Sequence, residues 1–118
     1  MKIFDCPLDE TVSVVIVDPS DYEYKKVNPI FQKKGHAFTL LNTDQRMIVI
    51  DGEVVSESWF EEEHLNVIMA HELGHLHMNT EDEVEADFYG LEQLHKHNLR
   101  DAFNLAFREI QHRYCPLT

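Results

Sequence analysis

His71-Glu72-Leu73-Gly74-His75 stands early in the second half of the chain, and Glu83-Val84-Glu85-Ala86-Asp87 follows it closely. The first segment is an HExxH pattern set in a run of helical periodicity. Residues i and i+4 of a helix lie on one face about one turn apart, so both imidazoles can reach a single cation. Glu72 is offset around the helix and can touch a water beside that cation without being a ligand. Neutral imidazoles suit zinc, which lowers the pKa of its water to about 7. Glu72 would take the water proton and deliver it to a leaving amine. Gly74 is an unusual residue inside a helix, where it costs roughly 1 kcal/mol relative to alanine. It implies the close approach of another backbone or room beside the metal.

Two histidines alone make a weak zinc site, so a third ligand is needed. His77, Glu81, Glu83, Glu85 and His95 are the candidates. His77 projects far from the His71/His75 face if the helix continues. Glu81 stands where one extended histidine motif carries its last ligand, but that motif needs glycine where this chain has Met78. Glu83 opens an ExxAD pattern, in which Glu83 and Asp87 share one face of a second helix. Ala86 is small enough there for close helix–helix approach. Asp87 can accept an N–H from a ligand imidazole and fix its tautomer. A competing arrangement exists, because Thr80-Glu81-Asp82-Glu83 also spells a capping box that would fold Glu83 back on the helix start. Glu85 points to another face.

Together the two motifs resemble the gluzincin metallopeptidases, and more narrowly the small stand-alone minigluzincin and ImmA/IrrE-like domains. The resemblance covers roughly residues 36 to 95. It implies that His71, His75 and Glu83 bind Zn²⁺, that Glu72 is the catalytic base, and that Asp87 supports a ligand histidine from behind. It also implies a small sheet before the active-site helix, with an edge strand that pairs with an extended peptide substrate. Met47-Ile48-Val49-Ile50-Asp51 occupies that place in the order. Such families stabilise the oxyanion with histidine, tyrosine or arginine, and Tyr89, His95 and His112 are candidates by chemistry alone. The spacing from His75 to Glu83 is short for these families and requires a tight turn at Met78-Asn79-Thr80.

Working outward, Ser58-Trp59-Phe60-Glu61 fits a capping box, and Leu65, Ile68, Met69, Glu72 and Leu76 continue at helical spacing. A second helix is expected from about Glu81, through Val84, Phe88 and Leu91. A third follows, with Asn98 as its cap and Leu99, Ala102, Phe103, Ala106, Phe107 and Ile110 on its buried face. Tyr114 reads as core, and Pro116 ends that helix. Trp59 and Phe60 read as core or as a hydrophobic staple. Earlier in the chain, Thr11 to Asp18 is β-branched and reads as a buried strand. His36–Asn42 and Arg46–Asp51 suggest a hairpin, with Asp51-Gly52 as the next turn. Residues 22–34 are ambiguous because Pro29 interrupts any long helix, and Lys33-Lys34-Gly35 closes the segment. The expected fold is α+β. A small N-terminal sheet would pack against a zinc-binding active-site helix, a glutamate helix and a C-terminal helix, in a single minimal domain over residues 1–118.

Composition supports a cation site and excludes other classes. The 118 residues carry a net charge of −12, with 22 acidic against 10 basic side chains. A nucleic-acid footprint needs a clustered basic face, and an anionic membrane repels such a chain. Ten acidic residues and no lysine or arginine lie between Glu57 and Asp87, and seven of the eight histidines lie between His64 and His112. Lys25-Lys26 and Lys33-Lys34 form a small basic cluster expected to face solvent. There is no signal-peptide run or membrane span. Cys6 and Cys115, at opposite ends, form neither a disulfide framework nor a CxxC pair. The expectation is a soluble cytoplasmic zinc metallopeptidase, monomeric or a small homo-oligomer, with a peptide or protein substrate. Two rivals share the metal: a zincin-fold module that grips a regulatory protein without turnover, and a structural zinc site.

Overall fold

The computed structural model describes residues 1–115. It is α+β: a four-stranded sheet in the N-terminal half and five helices. Two compact units divide the chain, the first spanning Met1–Phe60 and the second beginning at Glu61. Among the described residues, no helix is long and apolar enough to cross a membrane.

The first unit contains β1 (Lys2–Cys6), β2 (Asp9–Val17), α1 (Tyr24–Lys34), β3 (Ala37–Thr39), β4 (Met47–Asp51) and the short α2 (Gly52–Val55). The strand order is β1-β2-β4-β3. The β-branched run of β2 pairs antiparallel with β1 and parallel with β4. One face of the sheet presents Val15, Val17 and Val49, which form a core with Phe31 of α1 and Phe38 of β3. The alternate residues Val14, Ile16, Ile48 and Ile50 are buried as well. A strand pair buried on both faces needs a continuous apolar run rather than an alternating one, and that is what β2 and β4 carry.

Three features of this unit depart from expectation. β1 has no counterpart in the reading above, because Ile3-Phe4 is too short an apolar stretch to stand out. The ambiguous segment is a helix, with Pro29 inside α1 and Gly35 closing it at a φ of 95°. Most consequentially, Met47–Asp51 is not an edge strand. The hairpin partner β3 covers one side of β4 and β2 covers the other, so β1 and β3 hold the edges. The hairpin itself forms as expected.

Asp51 ends β4, buried, and caps α2 by accepting from the Glu53 amide. The Tyr24 hydroxyl lies 3.0 Å from Asp51 Oδ1 and 3.1 Å from Glu53 Oε2. Burial, followed by the hydrogen bonds and charges of Asp51 and Glu53, pushes the Tyr24 pKa up to about 12. A raised folded-state pKa means that this contribution to stability is intact below the unfolded tyrosine pKa of about 10 and is lost as pH rises toward 12. Alkaline unfolding of Tyr24→Phe is therefore expected to show a weaker pH dependence across pH 10–12 than wild type. Identical profiles would refute this role for Tyr24.

The second unit contains α3 (Glu62–Met78), α4 (Glu83–Lys96) and α5 (Arg100–Tyr114). The start of α3 lies later than Ser58. Its capping box is Glu61 with His64, whose Nδ1 accepts from the Glu61 amide at 3.1 Å. Trp59 is exposed rather than core. α3 ends at Met78, and Asn79 takes a left-handed conformation (φ 47°). Residues 79–82 then suffice to reverse the chain. α4 begins at Glu83, not Glu81. Asn98 is left-handed (φ 58°), so Leu99 rather than Asn98 occupies the cap position of α5. On α5, Ala102, Ala106 and Ile110 are buried, whereas Phe107 is exposed. Pro116 lies outside the described residues. Cys6 and Cys115 are both free.

Candidate metal centre

The crossing of α3 and α4 positions the site, and small residues make that crossing close. A Cβ added at Gly74 would stand 2.6 Å from the Ala86 carbonyl oxygen and 2.7 Å from Ala86 Cα. One turn away, a Cβ at Gly90 would stand 2.9 Å from the Ala70 carbonyl carbon. Gly74 thus faces a neighbouring backbone, as its place in a helix suggested, and Ala86 is the residue that approaches it. Gly90 completes the seam and was not singled out from the sequence.

This proximity brings the ExxAD residues onto the histidines. His71 and His75 turn their Nε2 atoms toward each other, 3.1 Å apart. The Glu83 carboxylate spans the pair, with Oε2 3.2 Å from His71 Nε2 and Oε1 2.9 Å from His75 Nε2. Glu83 is free to do so because Asp82 caps α4, accepting from the Val84 and Glu85 amides at 2.8 and 3.1 Å. The Thr80 hydroxyl is used one step earlier, on the Asp82 amide. The competing Thr80/Glu83 capping box therefore does not form.

The outer nitrogens identify the tautomers. His71 Nδ1 lies 2.7 Å from Asp87 Oδ1, and His75 Nδ1 lies 2.8 Å from the Thr80 carbonyl oxygen. A carbonyl oxygen and an ionised carboxylate only accept, so each Nδ1 must carry the hydrogen. Each Nε2 of a neutral ring is then a bare acceptor. Two such nitrogens and a carboxylate converge within 3.2 Å of one another. Acceptors crowded this way require a cation among them, whether a proton or a metal ion. Burial works against an imidazolium at His71, but the Asp87 hydrogen bond and the charges of Glu72, Asp87 and Glu83 outweigh it and hold the His71 pKa above its ordinary value.

The donor set fits a small dication. Zinc bonds of about 2.0–2.2 Å in a tetrahedron put neighbouring donors roughly 3.4 Å apart. The three separations here fall a few tenths of an ångström short of that. Glu72 is buried on the same helix, and one of its carboxylate oxygens lies within 4.8 Å of a nitrogen of each histidine. Glu83 reaches both Nε2 atoms as well, at 3.2 and 2.9 Å, although its side chain is 65% exposed.

The remaining candidates fall elsewhere. His77 Nδ1 meets the Tyr89 hydroxyl at 2.5 Å. Glu81, Glu85, His95 and His112 are exposed, and the His95 ring lies beside Phe103. Asp87 is buried and held from its far side. Its Oδ2 accepts from Arg113 at 2.5 Å and from the Tyr114 hydroxyl at 2.6 Å. Burial alone would raise the Asp87 pKa, but hydrogen bonds from His71 and Tyr114 and the charges of His71 and Arg113 hold it below the ordinary carboxylate range. Tyr114 is thus a polar partner of Asp87 rather than a core aromatic. Neither Arg113 nor Tyr114 could be found by helical spacing, since adjacent residues point about 100° apart. Compared with known protein families, curated proteins and solved structures, the chain matches none.

Proposed function

We propose that this protein is a zinc-dependent metallopeptidase of the gluzincin type, in which His71, His75 and Glu83 hold Zn²⁺. The observation that carries the reading is the meeting of three acceptors, the two Nε2 atoms and the Glu83 carboxylate, at 2.9–3.2 Å. Bound there, zinc supplies Lewis acidity that makes water nucleophilic near neutral pH and polarises a carbonyl. Asp87 and the Thr80 carbonyl keep both histidines in the Nδ1–H tautomer, leaving each Nε2 a lone pair for the metal. Glu72 accepts a proton from the attacking water and passes it to the leaving amine. The substrate is a peptide or protein segment. The reducing cytoplasm is the compartment that suits two free cysteines.

Glu72→Gln tests the reaction. It keeps the shape of the side chain and removes the base, so it should retain one zinc per chain. Hydrolysis of a quenched-fluorescent peptide library should fall by about 10²–10⁴-fold. Equal cleavage by wild type and variant would overturn the role of Glu72. Zinc uptake without cleavage by wild type would replace the peptidase with a metal-bearing binding module.

A further inference from the structure

The last turn of α5 reaches the metal centre through Asp87. The two oxygens of this carboxylate are divided: Oδ1 serves His71, while Oδ2 receives both Arg113 and Tyr114. A carboxylate held by one partner alone can turn about its terminal torsion, which is broad and nearly two-fold. Two donors on Oδ2 remove that freedom and commit Oδ1 to the imidazole. The donors are themselves placed by contacts within the unit. The Tyr114 ring stacks on Phe88 of α4, with centroids 6.5 Å apart and planes 24° from parallel, and the Arg113 guanidinium lies over the Tyr114 ring. Adjacent helical residues diverge, so both side chains must fold back toward one atom. They can do this only while the end of α5 is seated.

We infer that Arg113 and Tyr114 are positioning residues of the metal centre, a clasp through which the end of α5 sets the orientation of His71. The inference rests on the metal reading of His71, His75 and Glu83. The clasp touches neither metal nor substrate. It acts by aligning Asp87, which aligns the imidazole, which aims Nε2 at the site. Coupling between two sites is reciprocal, so a seated α5 favours the metal and the metal favours a seated α5.

The test measures zinc affinity of the full chain by competition with a chromogenic chelator, together with the thermal midpoint of the zinc-free form. Removing partners behind a ligand histidine typically weakens metal binding 10–100-fold. The Arg113→Met/Tyr114→Phe double variant should show a loss of about that size while remaining folded by circular dichroism. Arg113→Lys, which keeps a cationic donor, should fall between wild type and Arg113→Met. Ala102→Gly lowers helix propensity at a buried position on the first turn of α5 while leaving its last turn seated in the folded protein, and so separates positioning from general stability. It should lower the zinc-free midpoint and leave zinc affinity at the wild-type value. A folded double variant with wild-type zinc affinity overturns the clasp and leaves the metal centre standing. If Ala102→Gly loses as much affinity as the double variant, the role of Arg113 and Tyr114 is merely structural and the clasp again falls. A wild-type chain that binds no zinc overturns the metal centre and the clasp together.

Discussion

Stripping zinc with a chelator is expected to lower the thermal midpoint of the protein by more than about 10 °C, and His75→Ala should abolish the difference. The size follows from linkage. A ligand that binds only the folded state at 1,000 times its dissociation constant stabilises that state by about 4 kcal/mol. The chain has 118 residues, and between the smaller and larger domain sizes each kcal/mol moves the midpoint by roughly 4 °C. The direction follows from the site. The two Nε2 atoms and the Glu83 carboxylate are all acceptors, and they lie closer together than uncompensated acceptors would choose. Without a metal they must either repel or take up a proton, and a bound dication would relieve that cost. Glu83→Ala should lose the zinc increment as His75→Ala does, while Glu81→Ala should keep it. Metal content after dialysis and melting with and without chelator decide the matter. A midpoint indifferent to the chelator would mean that no metal site is formed. Full zinc in Glu83→Ala would remove Glu83 from the ligand set.

Much of this site is legible in the sequence because helices translate spacing into direction. The i, i+4 relation of His71 and His75, and of Glu83 and Asp87, needs only helical geometry to place each pair on one face. The identity of Gly74 and Ala86 then indicates that the two faces meet. Other features depend on contacts that spacing does not encode. Asp82, rather than Thr80, takes the cap of α4, and both arrangements are chemically reasonable until the backbone turn at Asn79 is known. The Thr80 carbonyl that holds His75 is a main-chain atom and has no sequence signature. Arg113 and Tyr114 are distant in sequence from Asp87 and adjacent to each other, which disguises their common target. In the sheet, β2 was readable from its β-branched run, but neighbour order was not. The exposure of a strand edge depends on where β3 folds, and the residues of β4 read alike at an edge or in the middle. Capping was the least legible feature throughout. At α3 the box moved from Ser58/Glu61 to Glu61/His64, because a histidine nitrogen can replace the usual glutamate oxygen as the acceptor at the third helical position.

The seam that makes the site possible is also where the smallest substitution should do the most damage. Gly74→Ala adds one methyl group. In an exposed helix this exchange would stabilise by about 1 kcal/mol, through helix propensity and a less flexible unfolded chain. Here the new carbon would meet the Ala86 backbone at 2.6–2.7 Å, and a backbone cannot swing aside as a side chain can. Overpacking of this kind costs 1–3 kcal/mol or more, and contact with main-chain atoms puts it at the upper end, so the clash wins. A net loss of about 2 kcal/mol would lower the midpoint by roughly 8 °C. Relief comes only by separating α4 from α3. Glu83 and Asp87 ride on α4, so that separation lengthens their contacts with His71 and His75. Gly74→Ala should therefore weaken zinc binding as well as the fold, although it touches no ligand. Gly90→Ala, with its closest approach at 2.9 Å, should act in the same direction with a smaller effect. Gly35→Ala provides the contrast. Its Cβ would enter open space, at a φ of 95° that strains the backbone of α1's end but lies in the other unit. It should lower stability and leave zinc affinity unchanged. Thermal melts of the zinc-free proteins and chelator competition on the same samples read both effects. If Gly74→Ala melts above wild type, as an ordinary helical glycine replacement would, the close crossing of α3 and α4 is not what holds Glu83 against the histidines.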